Sequence, residues 1–331
     1  MTLGLVVGKF YPPHRGHKHL IDAARAQCDH LIVVLAHHPS QRIPGELRAA
    51  WLREIHPDCD VRLVPDELEN DLRQWADWTL RYLGRAPDIV FSSEDYGPVY
   101  AAMMGSRHVM VDRPRVTVCT SGAAVRAAPL AALHFLEPCV RAYFVRRVVL
   151  IGAESTGKTT LARELAEAFD TCWVAEYGRE YWEKKAADWH DRAPTWDSGE
   201  FAHIAAEQQR REEEAARGAN RVLICDTNAF ATGTWHERYM GHRSAAVDAI
   251  GRRDRVDLYL LADIDVPFVQ DGWRDGQGVR DWMHRRFVEQ LAAGSVPVVT
   301  LSGPWDERRR IAKESIHQLL ATPLAITLPQ T

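Results

Sequence analysis

The stretch from residue 148 to residue 159 constrains the fold of this chain more than any other feature. An apolar run, VVLI, is followed by GAESTGKT at 152–159, which fits the pattern GxxxxGK[ST], and then by a helical pattern. In a loop of this kind, backbone N–H groups hold phosphates, the lysine neutralises their charge and the last hydroxyl binds Mg²⁺. We therefore predict contacts with a nucleotide's phosphates from Gly152, Glu154, Ser155, Thr156, Gly157, Lys158, Thr159 and Thr160, with Lys158 catalytic and Thr159 a metal ligand.

Acidic residues follow two later strand-like runs. Asp226 comes after VLIC at 222–225, an arrangement that suits a Mg²⁺ ligand and a catalytic carboxylate. Glu176 comes after residues 172–175 and is able to take a proton from a substrate hydroxyl or to bind a ribose. The sequence does not separate the base from the ribose binder between these two carboxylates. The plainer interpretation of Glu176 is an acid at a helix start, where the helix dipole favours it.

A second candidate phosphate-binding motif, GKFYPPHRGH, lies at residues 8–17, between a predicted strand at 3–7 and a predicted helix at 17–28. Gly8 and Gly16 permit close approach of the backbone, and the free N–H groups of a helix start attract anions. His14 and His17 are three residues apart, so both imidazoles can donate hydrogen bonds to one phosphorus centre. The alternatives are unrelated surface histidines, or a metal site for which no third ligand is evident.

Strand-like and helical patterns alternate along all 331 residues, which predicts an α/β protein with two parallel-sheet domains. We place the boundary within 137–147, giving a Rossmann-like domain at 1–140 and a P-loop domain at 141–331. The net charge of −4 argues against duplex DNA as a partner, and the apolar runs are too short to span a membrane. Six scattered cysteines without a CxxC pair indicate reduced thiols and a cytoplasmic location. The eleven tryptophans suit packing, although they can also stack on ring-shaped ligands.

The segment FVQDGWR at 268–274 follows a predicted strand at 257–261. Small kinases place a mobile lid with arginines at this distance behind the phosphate loop, so Arg274 and Arg280 are candidates for contact with the transferring phosphoryl group. A solvated basic loop is the alternative.

The segment at 8–17 resembles the signature of the nucleotidylyltransferase superfamily. Members of that superfamily join a nucleotide to a phosphorylated substrate and release pyrophosphate. The resemblance implies nucleotide contacts from Gly8, Lys9, Phe10 and Gly16. A second motif of that superfamily, Ser-x-Thr-x-x-Arg, is matched by SGAAVR at 121–126, with Ser121 and Arg126 in place and Ala123 at the threonine position. The missing hydroxyl donor leaves the adenylyltransferase activity open, and Ser121 could equally be an ordinary helix cap.

The whole chain resembles the family of bifunctional nicotinamide-nucleotide adenylyltransferase/ribosylnicotinamide kinases of the NadR type. The matching stretches include 8–17, 92–97, 121–126, 143–148, 152–160, 176–181, 226–228 and 266–274. The resemblance implies ATP and Mg²⁺ as cofactors, with nicotinamide riboside converted to nicotinamide mononucleotide and then to NAD. It implies substrate contacts from Glu176, Tyr177, Arg179, Phe268 and Asp271, with Phe268 standing where the family often has a tryptophan in the lid. Trp51 is a candidate for stacking on nicotinamide in the first domain or, equally, a core residue.

Other functions remain open from the sequence. One is a kinase whose first domain only binds nucleotide, and another is a nucleotide sensor that signals through a partner. A third is a transferase–kinase pair for another metabolite, such as a pantetheine phosphate. Some members of the family carry an N-terminal helix-turn-helix domain, whereas this sequence starts at its first strand. We therefore expect an enzyme that does not bind operator DNA. The sequence does not determine the oligomeric state and is compatible with a homo-oligomer.

Overall fold

The structure is a computed structural model that describes residues 1–68, 71–187, 195–268 and 276–324. The chain divides into two compact units, Met1–Arg141 and Ala142–Pro323, each of which is described by itself. Within the described residues, no helix has the length and apolar character needed to cross a membrane.

The first unit is built on a five-stranded, wholly parallel sheet with the strand order β3-β2-β1-β4-β5. Both faces of the sheet are covered by helices, as parallel sheets require. Its elements are β1 (Leu3–Gly8), α1 (Arg15–Arg25), β2 (His30–His37), α2 (Gly45–Ile55), β3 (Asp60–Pro65), α3 (Leu72–Leu83), β4 (Ile89–Ser92), α4 (Gly97–Met103), β5 (Arg107–Met110) and α5 (Gly122–Ala127). A further helix, α6 (Pro138–Phe144), contains the boundary between the units.

Alternating side chains of the central strand β1 point to opposite faces of the first sheet. Val6 packs in a cluster with residues of α1 and α2, whereas Leu5 packs in a second cluster with residues of α3 and α4. This burial on both faces fixes the register of β1 and places its carboxyl end, Gly8, at the edge where the loop to α1 begins.

The second unit is also built on a five-stranded parallel sheet, with the strand order β10-β9-β6-β8-β7. Its elements after α6 are β6 (Arg146–Ile151), α7 (Lys158–Ala168), β7 (Trp173–Val174), α8 (Tyr177–Ala187), α9 (Ser198–Ala216), β8 (Val222–Asp226), α10 (Ala229–Met240), α11 (Ala245–Gly251), β9 (Leu258–Ala262), α12 (Arg280–Ala292), β10 (Val298–Leu301) and α13 (Trp305–Ala321).

The central strand of the second sheet, β6, is almost wholly buried and pairs with β8 on one side and β9 on the other. Because all three strands run parallel, the loop that follows β6 and the residue that ends β8, Asp226, lie at the same edge of the sheet. The predicted fold class, two parallel-sheet α/β domains, is confirmed.

Candidate active sites

The loop between β6 and α7 requires glycine at two positions. Gly152 has φ +146°, and a Cβ there would lie 2.7 Å from the carbonyl oxygen of Ala262. Gly157 has φ +85°, and a Cβ there would lie 2.7 Å from the ring of Trp305. Both glycines therefore allow a tight loop that packs directly on its neighbours and leaves its backbone N–H groups available for an anion.

The polar side chains of this loop are held by its own backbone and by β8. The Lys158 ammonium donates to the carbonyl oxygen of Ala153 at 2.8 Å, and the Thr156 hydroxyl donates to the same oxygen at 2.9 Å. The Thr159 hydroxyl donates to Asp226 Oδ2 at 2.5 Å. Among the described residues, the buried Asp226 Oδ1 has no hydrogen-bond partner.

A second carboxylate, Glu176, lies at the start of α8 in the wall of the same cavity. Loss of hydration and the nearby charge of Asp226 raise its pKa to about 7, against the attraction of Lys158 and Arg179. Burial also raises the pKa of Asp226, although Lys158 and the Thr159 hydroxyl oppose the shift. The carboxyl groups of Glu176 and Asp226 therefore share a poorly hydrated site with the cations of Lys158 and Arg179.

The cavity of the second unit combines this phosphate loop with an aromatic wall that sequence reasoning did not locate. Trp182 and Trp196 stack with ring centroids 5.5 Å apart, and Trp196 lies 5.5 Å from Tyr239. Trp235 stacks on Tyr239, with ring centroids 6.3 Å apart. The cavity is lined by residues 154–160, Glu176, Gly178, Arg179, Trp182, Glu183, Trp196, Phe201, Ile204, Gln208, Thr227, Thr232, Trp235 and Tyr239.

Glu154, within the phosphate loop, is tied to α10. Arg238 Nη1 lies 3.3 Å from Glu154 Oε1, and the guanidinium covers the ring of Tyr239 at 4.9 Å. Both side chains of the ion pair are largely buried. The aromatic wall and the phosphate loop are thus joined through one arginine.

The structure brings only some of the predicted residues of this unit to the cavity. Residues 154–160, Glu176 and Arg179 line it. Gly152, at the beginning of the loop, and Asp226, which accepts from Thr159, are not among the lining residues. The Tyr177 ring instead packs under the Arg211 guanidinium at 4.3 Å.

Two of the predicted lid residues lie outside the cavity wall. Phe268 and Arg280 pair with each other, with the guanidinium 5.8 Å from the ring centroid. Arg280 also donates to the carbonyl oxygen of Val266 at 3.0 Å. Asp271 and Arg274 lie outside the described residues.

In the first unit, His14 and His17 lie side by side at the start of α1. Their rings stack with centroids 3.7 Å apart. The Nδ1 atom of His14 accepts from the Gly16 N–H at 3.1 Å, and that of His17 accepts from the His14 N–H at 3.3 Å. Since each Nδ1 is an acceptor, the hydrogen of the neutral ring lies on Nε2. Burial, followed by the charge of Arg115, lowers the pKa of His14 to about 4, and burial also lowers that of His17. Both rings are therefore neutral N–H donors near pH 7.

The cavity next to these histidines is formed by the carboxyl ends of β1 and β4 and by the loop after β5. It is lined by residues 7–10, His14, Gly16, His17, Leu20, residues 92–94, Tyr96, Asp112, Arg115, Val118, Thr120 and Gly122. Arg115 has φ +54° and pairs with Glu94 at 3.0 Å. Sequence reasoning missed this arginine, because only the fold brings the loop after β5 beside His14. A positively charged group thus shares the cavity with two neutral N–H donors.

The second predicted motif of this unit lies at the start of α5, and its polar groups are engaged locally. Ser121 caps the helix by accepting from the Ala124 N–H at 3.1 Å. Arg126 donates to the carbonyl oxygen of Tyr11 at 2.6 Å and covers its ring at 4.9 Å. Gly122 reaches the cavity wall, whereas Ala123 is exposed.

Two predicted contacts of the first unit differ in exposure. Lys9 lines the cavity and forms an ion pair with Asp66 at 3.0 Å. Trp51 is buried on the face of α2 that also buries Leu52, and it is not among the residues that line the cavity. Its packing is that of a core residue.

Metal ligands on the protein side are sparse. Among the described residues, no group of three or more His, Cys, Asp or Glu side chains is arranged to hold a metal ion. Thr159 and Asp226, whose buried Oδ1 has no hydrogen-bond partner in the described part of the chain, fit a cation that takes its other ligands from phosphate oxygens and water.

Two family models match the chain. The cytidylyltransferase-like family matches residues 5–121, and the AAA domain family matches residues 147–308. The first match contains the histidine pair and, apart from Gly122, the residues that line its cavity. The second begins at β6 and contains the phosphate loop and Asp226. The fold and these matches define a protein that joins a nucleotidyltransferase-like domain to a P-loop nucleotide-binding domain.

The chain is similar to curated proteins over most of its length. It is 29% identical to the trifunctional NAD biosynthesis/regulator protein NadR of Escherichia coli strain K12, with 96% of this chain and 83% of that protein covered. It is 28% identical to the NadR protein of Salmonella typhimurium strain LT2, with 90% and 78% covered.

Solved structures show the same fold. A NadR protein in complex with NR has a TM-score of 0.78 and 22% identity, covering 97% of this chain and 96% of its own. A NadR protein in complex with NAD and AMP-PNP has a TM-score of 0.74 and 20% identity, covering 98% and 97%. The predicted resemblance to the NadR type is confirmed over nearly the whole chain.

Proposed function

We propose that this chain is a bifunctional enzyme of NAD biosynthesis. The second domain, 141–331, phosphorylates nicotinamide riboside with ATP, and the first domain, 1–140, transfers an adenylyl group from ATP to the resulting mononucleotide, giving NAD and pyrophosphate. The observation that carries this proposal is similarity to NadR proteins over 96% of this chain, together with a cavity in each unit that contains a phosphate-binding motif. Both reactions consume ATP, which the cytoplasm supplies, and thiols stay reduced in that compartment. We therefore propose a cytoplasmic location.

In the kinase reaction, the N–H groups of residues 154–159 and the Lys158 ammonium hold the β- and γ-phosphates of ATP. The Lys158 ammonium also donates to the carbonyl oxygen of Ala153 at 2.8 Å, which holds the side chain against the loop. Thr159 and Asp226 hold Mg²⁺, which when bound neutralises charge that develops on the phosphate oxygens.

Glu176 is the better candidate for the base, because Asp226 is already engaged by the Thr159 hydroxyl. The riboside hydroxyl gives its proton to the Glu176 carboxylate as its oxygen forms a bond to the γ-phosphorus. The bond between the γ-phosphorus and the bridging oxygen breaks, and ADP leaves. Arg179, in the same cavity wall, balances the negative charge of the site.

The aromatic wall suits the pyridinium ring of the riboside. Tryptophan faces are negatively polarised and attract a flat cation, a contribution of about 0.5–2 kcal/mol. Trp182 and Trp196 line the same cavity as Glu176. The Trp196 ring already attracts a cation, since the Lys185 ammonium lies 4.7 Å from its centroid. We therefore propose that the pyridinium ring packs against this wall. Substrate contacts remain predictions from the sequence for Phe268, Asp271, Tyr177, Arg274 and Arg280.

The adenylyl transfer needs no base, because the attacking group is a phosphate oxygen of the mononucleotide that is already anionic. That oxygen forms a bond to the α-phosphorus of ATP, the bond to the bridging oxygen breaks, and pyrophosphate leaves. The Nε2–H groups of His14 and His17 donate to the oxygens of the α-phosphorus, where charge accumulates in the transition state. Gly8, Lys9, Phe10, Gly16, Ser121 and Arg126 complete the proposed nucleotide contacts.

The experiment that tests the proposal is the incubation of purified protein with MgATP and nicotinamide riboside, followed by separation of the products and their identification by mass. A second candidate, a kinase whose first domain only binds nucleotide, is favoured by one observation: Ala123 offers no hydroxyl at the threonine position of the motif. Accumulation of the mononucleotide without NAD would support that candidate.

A further inference from the structure

The long helix α9 buries two polar side chains, one turn apart, that have no part in the mechanism above. Gln208 is 2% exposed and Glu212 is 1% exposed, although much of the helix is polar. Burying an amide and a carboxyl group is costly unless their atoms are hydrogen-bonded, so such a pair calls for an account of its partners.

The Gln208 amide contacts a hydrogen-bond donor through its oxygen and an acceptor through its nitrogen. Its Oε1 accepts from the backbone N–H of Tyr177 at 2.9 Å, and its Nε2 donates to Glu212 Oε1 at 3.0 Å. The Tyr177 N–H belongs to the first turn of α8, where backbone donors have no partner within the helix. Gln208 therefore supplies an acceptor that α8 cannot supply for itself.

The peptide unit that ends at the Tyr177 nitrogen begins at Glu176. Because that unit is planar, a hydrogen bond to its N–H limits rotation of the backbone that carries the Glu176 side chain. Gln208 also forms part of the cavity wall beside Glu176. The amide of Gln208 thus restrains the proposed base at the point where its side chain leaves the main chain.

Glu212 decides which way the Gln208 amide faces. The oxygen and nitrogen of an amide have nearly the same size, so a half-turn would bring the NH₂ group against the Tyr177 N–H. An acceptor at Glu212 Oε1 favours the orientation in which the NH₂ group points toward Glu212 and the oxygen toward Tyr177.

We propose that Gln208 and Glu212 are positioning residues for riboside phosphorylation, with Gln208 fixing the peptide of Glu176 and Glu212 orienting Gln208. This inference rests on the proposed kinase function of the second domain and on Glu176 as its base. Neither residue forms or breaks a bond in the reaction, and the pair acts only through the geometry of Glu176.

The surroundings of Glu212 disfavour a negative charge on this side chain. Asp254 and Glu213 repel a negative charge on Glu212, whereas Arg147 attracts it, and the thiol of Cys225 and the phenol of Tyr259 lie nearby. Burial raises the pKa of Glu212 to about 8. A neutral glutamine at 212 keeps an oxygen acceptor, whereas a leucine removes it, so these two substitutions separate the hydrogen bond from side-chain volume.

The test measures kcat and KM for riboside phosphorylation by the full chain with MgATP, with folding of every variant checked by thermal melting. We expect Gln208→Leu to lower kcat about 10-fold or more while KM for the riboside changes less than about threefold. Gln209→Leu is the matched control, because the neighbouring Gln209 amide instead contacts Asp254, at 2.9 Å. We expect that variant to keep the kcat of the wild type.

The pair Glu212→Leu and Glu212→Gln keeps the proposal testable even when Gln208→Leu does not fold. We expect Glu212→Leu to lower kcat relative to the wild type. We expect kcat of Glu212→Gln to be at least about fivefold higher than that of Glu212→Leu. Equal kcat values for the two Glu212 variants would overturn the proposal. A rise in KM at constant kcat for Gln208→Leu would also overturn it, since that pattern indicates direct substrate binding. If the wild type itself forms no mononucleotide, the proposed function fails, which is a distinct result.

Discussion

The rings of His14 and His17 stack 3.7 Å apart, and the Nδ1 atom of each is occupied by a backbone N–H of the same helix start. This arrangement fixes both rings in the tautomer that carries hydrogen on Nε2. Two neutral donors, aligned before substrate arrives, are what the transfer of an adenylyl group needs at the α-phosphorus.

His17→Ala is expected to lower the rate of adenylyl transfer about 100-fold, because it removes one of these donors. Phosphorylation of the riboside, catalysed by the other unit, should be unchanged. The two rates are measured separately, with mononucleotide or riboside as the added substrate. His30→Ala is the control, since this half-exposed histidine lies at the start of β2 beside Asp60. Loss of both activities in a folded His17→Ala variant would contradict the assignment of two independent sites.

Lys158→Ala should have the opposite effect and reduce riboside phosphorylation at least about 100-fold, since the β- and γ-phosphates lose their positive partner. Adenylyl transfer from ATP to the mononucleotide should continue at the wild-type rate. Lys184→Ala serves as the control, because that exposed lysine pairs with Glu180 on the surface of α8. A Lys158→Ala variant that still phosphorylates the riboside at the wild-type rate would remove the loop at 152–159 from the kinase mechanism.

Trp182 offers a test of the aromatic wall, because its side chain is partly exposed and lines the cavity. We expect Trp182→Ala to raise KM for nicotinamide riboside several-fold with little change in kcat, and Trp182→Phe to raise it less. The physical reason is the loss of a polarisable face for the cationic ring. An unchanged KM in both variants would place the pyridinium elsewhere in the cavity.

Glu212 predicts a pH dependence of stability. Its pKa in the folded chain, about 8, lies above its ordinary value, so the folded state binds more protons than the unfolded state between these values. The free energy of unfolding therefore falls as pH rises from about 4.5 toward 8, by up to about 1.4 kcal/mol for each unit of pKa difference. Glu212→Gln removes this contribution and is expected to be relatively more stable at pH 8 than at pH 5.5.

The measurement is urea unfolding of the wild type and of Glu212→Gln at several pH values. Only the difference between the two proteins is compared, because other carboxyl groups, such as Asp254 with its pKa raised to about 6, contribute to both slopes. Parallel pH profiles would show that Glu212 is not protonated in the folded state.

The parts of the site that could be predicted are those encoded in contiguous sequence. The loop at 152–159 and the histidines at 14 and 17 carry their geometry in local backbone chemistry, so glycine positions and spacing suffice to find them. Arg115 and Gln208 could not be found this way, because each reaches its cavity only through packing of distant segments. The aromatic wall has the same origin, since Trp182, Trp196 and Trp235 come from α8, the segment before α9, and α10.

The fold was predictable to a similar extent. Strands with continuous apolar runs, such as β6 and β8, stand out in the sequence, and the two parallel sheets follow from their alternation with helices. Helix α10 could not be predicted from the sequence, because Thr232, Gly233 and Thr234 have low helix propensity. Close packing accounts for the glycine: a Cβ at Gly233 would lie 3.0 Å from atoms of Arg243 and of Asp248.

Trp51, which the sequence left open equally as a stacking or a core residue, packs as a core residue in the structure. An aromatic residue on a helix near a nucleotide motif suits a stacking role, but α2 turns this side chain toward the interior with Ala49 and Leu52. Sequence spacing identifies the buried face of a helix, and it does not distinguish the core from a ligand cavity.

The central claim, that one chain carries out both reactions, is tested most directly by incubating the purified protein with MgATP and nicotinamide riboside and following the products over time. We predict that nicotinamide mononucleotide appears first and that NAD and pyrophosphate follow, with Ala123 tolerated in the first site. Mononucleotide that accumulates without NAD would contradict the assignment of adenylyl transfer to the first domain. The absence of any product would contradict the account as a whole.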